Sequence, residues 1–426
     1  MLRLIPPPLR PVGYLRSDLP ADLPVRLLAV LVVGLAVGLA VGLLLAGCSD
    51  DSSPPPPAPT VHGTAVGQAL PGLTPAETDR FARGGALFRR IYSPDEGLGP
   101  LFNENSCNAC HTDPADGGTG DQFMIRATAT RSDGSCDLLG GEGANIRQQA
   151  TPLLQAHGIF FEEVPAAATE VGRFNVPFVF GLGLVEAIPE EVILARVGDA
   201  GLHGELSGRA GHNAEGRFAR FGRKADVATL FDFVEEASRM EMGLTNPLHP
   251  EERGPNLRPL PPGTDPAPNP EIDLASLELL ADFVRFLAPI GRREVEDADT
   301  RALVARGGEL FREIGCAGCH VPYMDTGAHP VEALAHKRIY LYSDLLLHDM
   351  GPELADVCAP AASGSELRTE MLMGLSERTV YLHDSRAGTL WEAIGFHGGE
   401  AAGARSRFQD LDRIAQEALM QYLRTL

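Results

Sequence analysis

The stretch RGGELFREIGCAGCH at residues 306–320 has a looser copy earlier in the chain. There RGGALFRR runs from Arg83 to Arg90, a turn-rich detour begins at Ile91, and SCNACH closes at His111. A Cys-x-x-Cys pair alone is ambiguous among a zinc knuckle, a redox dithiol and a heme anchor. The histidine directly after each pair points to the anchor. Two thiols at that spacing add to the two vinyl groups of one porphyrin, and the adjacent imidazole is then held over the iron as its proximal ligand. A zinc site would need a further ligand pair at a fixed short offset, and none follows either motif. Cys107, Cys110 and His111 are therefore read as one attachment site, and Cys316, Cys319 and His320 as a second. Together they would hold two covalently bound heme c groups, with His111 and His320 on the irons.

The flanking sequence repeats as well. RALVARGGELFREI (301–314) places apolar residues at helical spacing and ends just before Cys316, and the same helix is expected over about Pro75–Arg90. LASLELLADFVRFLAPI (274–290) and AQEALMQYLRTL (415–426) form a second matched pair, each an amphipathic helix closing a motif-bearing unit. A further helix is expected from about Val227 to Met240. Elsewhere Gly- and Pro-rich connections prevail, and few strand-like alternations occur. The expected fold class is mainly α, with two tandem cytochrome c-like domains and extensive loops. The expected divisions are a signal peptide with lipobox (1–47), a Pro-rich tether (48–74), a first heme domain with long insertions (75–296) and a second heme domain (297–426).

Charge and the N-terminus bear on partners and compartment. A net charge of −21 over 426 residues excludes nucleic acid as a partner, since phosphates would be repelled. Arg3, Arg10, Arg16 and Arg26 precede an uncharged run from Leu27 to Gly47, which closes on LAGC at 45–48. A basic start, an apolar stretch and small residues form an export signal. The ending resembles a bacterial lipobox, so Cys48 would be lipidated and tie the protein to a membrane on the periplasmic side or the cell surface. The same run is long enough to remain as a spanning anchor, which is the other reading. After Cys48 and the two motif pairs, Cys136 and Cys358 remain from the seven cysteines. In an exported protein they either bridge or stay single.

Several further segments carry a resemblance to a known family. They are GLGPLFNENSCNACH (97–111), FGLGLVEAIPE (180–190), GRFARFGRKA (216–225), MEMGLTNP (240–247), LYSDLLLHDMGPELAD (341–356), RTEMLMGL (368–375) and YLHDSRAGTLWEAIGFHGGEA (381–401). In this order the chain resembles the di-heme oxidoreductase family, described as peroxidases and distantly related to bacterial di-heme cytochrome c peroxidases. The resemblance covers nearly everything after residue 75. It implies that Glu241, in Met-Glu-Met-Gly, is the catalytic residue that moves a proton between the two oxygens of peroxide. Glu186 is the second candidate. The family's tyrosine-Met-His-Asp-Gly stretch is here Tyr381-Leu382-His383-Asp384-Ser385, which removes the usual methionine ligand and keeps Tyr381, His383, Met371 and Met373 in play. The family's inter-heme tryptophan is also not matched, since the sole tryptophan, Trp391, lies in the second half.

Met350 is read either as the distal iron ligand of the second heme or as core packing. Methionine–histidine ligation would raise that heme's potential and suit an electron acceptor. Arg173 and Arg368 are propionate partners or surface arginines, and His157, His203, His212 and His249 are read as loop histidines. Two functions follow. One is peroxide reduction, with hydrogen peroxide as substrate and a redox protein as electron donor. The alternative is an electron-transfer cytochrome that passes charge to a redox-protein acceptor without a substrate of its own.

Overall fold

Two helix pairs frame the protein, and each belongs to one copy of the repeat. In the computed structural model the described residues are 58–61, 65–139 and 145–426. The expected signal peptide, Cys48 and the start of the tether lie outside them. Helix α1 (Pro75–Phe88) starts at a capping box in which Thr74 and Glu77 satisfy each other's backbone amides, with Pro75 at the first helical position. Helix α2 (Leu230–Met242) is capped by Thr229 and ends at Gly243 in the left-handed region. Helices α3 (Leu274–Phe286), α4 (Ala298–Glu313) and α6 (Arg413–Leu423) begin at Asp273, Asp297 and Asp412, each accepting from the amide three residues on. The short α5 (Leu390–Gly395) opens on a Thr389–Glu392 capping box.

Helix α1 packs on α3, and α4 packs on α6. The repeated Gly-Gly is the contact point in both pairs. A β-carbon on Gly84 would collide with the Leu279 carbonyl, and one on Gly307 with the Ala418 carbonyl. The helices can approach this closely only where the side chain is absent. The repeated Leu-Phe has a matching role. Phe88 packs on Phe283 at 4.8 Å between ring centres, and Phe311 on Tyr422 at 5.4 Å. Each phenylalanine also lies beside the histidine of its own motif, Phe88 at 6.0 Å from His111 and Phe311 at 6.4 Å from His320.

The two halves share a core. The main cluster of buried apolar side chains runs from Leu70 and Phe88 through Phe180, Leu230 and Leu280 to Leu334, Ile339 and Leu346 of the C-terminal half. A second cluster joins Phe311, Tyr342, Phe408, Leu419 and Tyr422. Chain expected to be tether is already built in: Leu70 is buried and its amide donates to the Phe286 carbonyl at 2.8 Å, while Ala288 donates to Gln68 at 2.9 Å. Further back, Pro59 accepts from the Arg338 amide at 2.8 Å.

The long insertion after the first motif contains a sheet that the sequence did not announce. Strand β1 (Phe123–Thr130) pairs antiparallel with β2 (Cys136–Asp137), β3 (Asn145–Ile146) and β4 (Glu170–Asn175). The longest ladder sets Phe123 opposite Asn175 and Thr128 opposite Glu170. Cys136 in β2 is joined by a disulfide to Cys358, so the bridge ties the insertion's sheet to the C-terminal half. Asn175 strengthens the same junction, its amide donating to the His383 carbonyl at 2.8 Å and its side chain to the Leu382 carbonyl at 2.7 Å.

Candidate functional site

Both Cys-x-x-Cys-His motifs fold into the same tight turn. The His111 amide donates to the Cys107 carbonyl at 3.1 Å, and the His320 amide to the Cys316 carbonyl at 2.9 Å. This carries each histidine back over its cysteines. The imidazoles are then oriented alike: His111 Nδ1 lies 2.9 Å from the Gly118 carbonyl and His320 Nδ1 3.1 Å from the Tyr342 carbonyl. A carbonyl can only accept, so Nδ1 carries the proton in both rings and Nε2 keeps its lone pair for a metal. Burial holds both imidazoles below their ordinary pKa, His320 down to about 4, so both rings are neutral at neutral pH.

Each motif opens on a cavity. The first, of about 320 Å³, is lined by Cys107, Cys110, His111, Phe123, Phe174 and Phe178 among others. The second, of about 230 Å³, is lined by Cys316, Cys319, His320, Phe311, Leu390 and Ile394 among others. Burial pushes the Cys107, Cys110 and Cys316 thiols up to about 12 and raises Cys319. Such thiols are protonated and poor nucleophiles, unlike the low-pKa thiolates of redox dithiols. Paired thiols in the cavity wall, a freed imidazole Nε2 and aromatic walls fit a thioether-bound porphyrin. In the second cavity Cys319 also lies 3.7 Å from His348, which is held by Asp344 and Glu400 at 2.8 Å each. Burial lowers the pKa of His348, but Asp344, Cys319 and Glu400 outweigh it and push it up to about 12, so the ring is an imidazolium.

Glu241 lines the first cavity with His111. Its carboxyl accepts from Asn103 Nδ2 at 2.7 Å and from Asn145 Nδ2 at 3.0 Å. Burial raises its pKa, with the two asparagines and Arg126 pulling the other way. Sequence reasoning missed Glu236, on the same helix α2 and in the same cavity. Its carboxyl is pushed up to about 7 by burial, although Arg126 lies 3.4 Å away. The available signal was its position five residues before Glu241 on the same helix. Glu186 is corrected as a second candidate: it does not line the cavity. Its oxygens accept from the Leu230 amide at 2.8 Å and from Arg285 at 2.9 Å, so it caps α2 instead.

Four residues line both cavities: Arg223, Arg368, Glu370 and Met371. Partial burial pushes the Glu370 carboxyl up, but Arg223, Arg368 and Arg378 outweigh it and hold it down at about 2. This charged cluster stands where a tryptophan was not found; Trp391 instead packs on Phe408 at 5.2 Å in the second core. Arg173 stacks on Phe123 at 3.5 Å and does not line either cavity. Met350 and Tyr381 line the second cavity, the Tyr381 hydroxyl donating to the Arg378 carbonyl. His383 also lines it, with Nε2 2.9 Å from Asp356, and Met373 is core.

This arrangement, two cavities with a histidine-bearing Cys-x-x-Cys turn in each wall and a charged partition between them, is the frame of a two-heme redox protein. A family model described as "Di-haem oxidoreductase, putative peroxidase" matches residues 167–426, and the chain belongs to that family. Family membership implies two hemes. Solved structures of low identity are similar over most of their length. Hydrazine synthase from Kuenenia stuttgartiensis is 14% identical, with 82% of this chain and 88% of that one covered and a TM-score of 0.39. A MauG-like protein associated with microbial copper homeostasis is 16% identical, with 87% and 93% covered and a TM-score of 0.37. A variant of the diheme peroxidase BthA from Burkholderia thailandensis is 14% identical, with 86% and 90% covered and a TM-score of 0.33. No curated protein matches the chain.

Proposed function

We propose that the chain is an exported, lipid-anchored di-heme c-type oxidoreductase that reduces hydrogen peroxide with electrons from a redox-protein donor. The observation that carries this reading is the partly buried carboxyl of Glu241, suspended by Asn103 and Asn145 in the cavity that also holds His111. Heme attached at Cys107 and Cys110 and ligated by His111 would supply the iron at which the O–O bond breaks. Reducing one peroxide to two waters consumes two electrons and two protons. Glu241, its pKa raised by burial, can hold a proton in the cavity and move it from one oxygen to the other. Glu236, poised at about 7, can replenish it. A charge taken up at the second cavity would reach the first through the wall the two share, to which Arg223, Arg368, Glu370 and Met371 belong. Anchoring through Cys48 rests on LAGC and the apolar run before it.

The test begins with pyridine hemochrome absorbance on acid-extracted protein, where two covalent hemes per chain are expected. The mixed-valence protein should then show a high-spin signal from the His111 heme and should consume hydrogen peroxide with a reduced donor. Two hemes that stay low-spin in every redox state, with peroxide untouched, would establish the electron-carrier reading in its place.

A further inference from the structure

The second cavity contains a histidine that no sequence argument had singled out. His397 follows α5, and its ring centre lies 6.4 Å from that of His320, with the two planes at 50°. Metal–imidazole bonds of about 2.0 Å place two rings ligating one ion from opposite sides about 6 Å apart, centre to centre. Such rings can take any angle about their common axis, so 50° is compatible.

The hydrogen bonding makes the same selection. His397 Nδ1 lies 2.7 Å from the Ala393 carbonyl, so Nδ1 carries the proton and Nε2 is left as a lone pair, as in His320. The other histidines of this cavity have their Nε2 engaged. His348 is held at both nitrogens by Asp344 and Glu400, His383 Nε2 by Asp356, and His203 Nε2 by the Glu313 carbonyl. Burial and Arg405 keep His397 below its ordinary pKa. The first cavity differs: among its lining residues His111 is the one histidine, and carboxyls line it instead.

We infer that His397, rather than Met350, is the sixth ligand of the iron held by His320, which makes the second heme a closed bis-histidine site. The inference rests on the two-heme reading above and deepens it. A bis-histidine iron excludes peroxide and, without a methionine ligand, has a lower potential than a methionine–histidine site. The second heme is then a relay, and any open iron belongs to the first cavity.

The experiment uses the full-length holoprotein. Near-infrared magnetic circular dichroism of the unmodified ferric form distinguishes histidine–histidine from histidine–methionine ligation without any mutation. One histidine–histidine signature per chain is expected. His397→Ala should abolish it and turn that heme high-spin, added imidazole should restore it, and Met350→Leu should leave it unchanged. His397→Met should keep the iron six-coordinate and move its potential upward. A histidine–methionine signature in the unmodified protein, or a histidine–histidine signature that survives His397→Ala, overturns the assignment. Loss of this inference with two covalent hemes intact leaves the proposed function standing. Absence of covalent heme removes both.

Discussion

Replacing Glu241 with glutamine separates catalysis from packing, because the side chain keeps its shape while losing its titrating proton. Glutamine presents one acceptor and one amino group where the carboxyl now accepts from both Asn103 and Asn145. One asparagine must therefore face a donor. Asn103 cannot turn, since its Oδ1 accepts from the Gln148 amide at 2.9 Å. Asn145 cannot turn without losing its bond to the Met240 carbonyl at 3.1 Å. Leaving one buried donor unpaired costs about 1–3 kcal/mol of stability. The rate effect is larger: a general acid–base group contributes about 10²–10⁴-fold, or about 3–5 kcal/mol of barrier. Initial rates of peroxide consumption with a reduced donor measure this on protein checked for two covalent hemes and held well below its melting temperature. A lowered melting temperature with an unchanged rate would refute the proton-transfer role. Glu241 would then be structural, and Glu236→Gln becomes the variant to test.

Three further outcomes are expected. Glu236 has its folded pKa raised to about 7 from the ordinary 4.5. Its contribution is present at low pH and lost as pH rises through 7, worth roughly 3 kcal/mol across that window. Glu236→Gln should therefore gain on the parent protein between pH 5 and pH 8 in denaturant unfolding, and parallel stability curves would contradict the assignment. Gly307→Ala points a methyl group at the Ala418 carbonyl in the α4–α6 crossing and should cost about 1–3 kcal/mol in thermal unfolding. Indifference to the methyl would mean that the crossing is looser than the geometry states. The Cys136–Cys358 bridge closes a 222-residue separation, so Cys136→Ala with Cys358→Ala should lower stability by about 5 kcal/mol, the loop-closure limit. A loss below 1 kcal/mol would show that Asn175 and the sheet junction already hold the two halves without it.

The sequence by itself determined whatever depends on short range. The spacing in CNACH and CAGCH dictates a turn that puts two thiols and an imidazole at one wall, and the 3.6-residue period announced both helix pairs. Even the repeated glycines have their reason in those pairs, at Leu279 and Ala418. Contacts between distant segments were not legible. Strand β1 finds its longest partner β4 some 45 residues later, and strand pairing leaves no local period that names its partner. Cys136 and Cys358 stand more than two hundred residues apart, and nothing in either flank specifies the other. The same holds for the chemistry. Sequence could point to Glu241 through its neighbours, but Glu186 and Glu236 look alike as letters. Packing alone separates them, committing Glu186 to Arg285 and the Leu230 amide and burying Glu236 in the cavity. His397 lies 77 positions from His320, and only the tertiary fold sets its ring 6.4 Å away with a free Nε2. Which side chain stands opposite His320 across the cavity is set by what the folded chain delivers there, and that delivery is a property of the whole core.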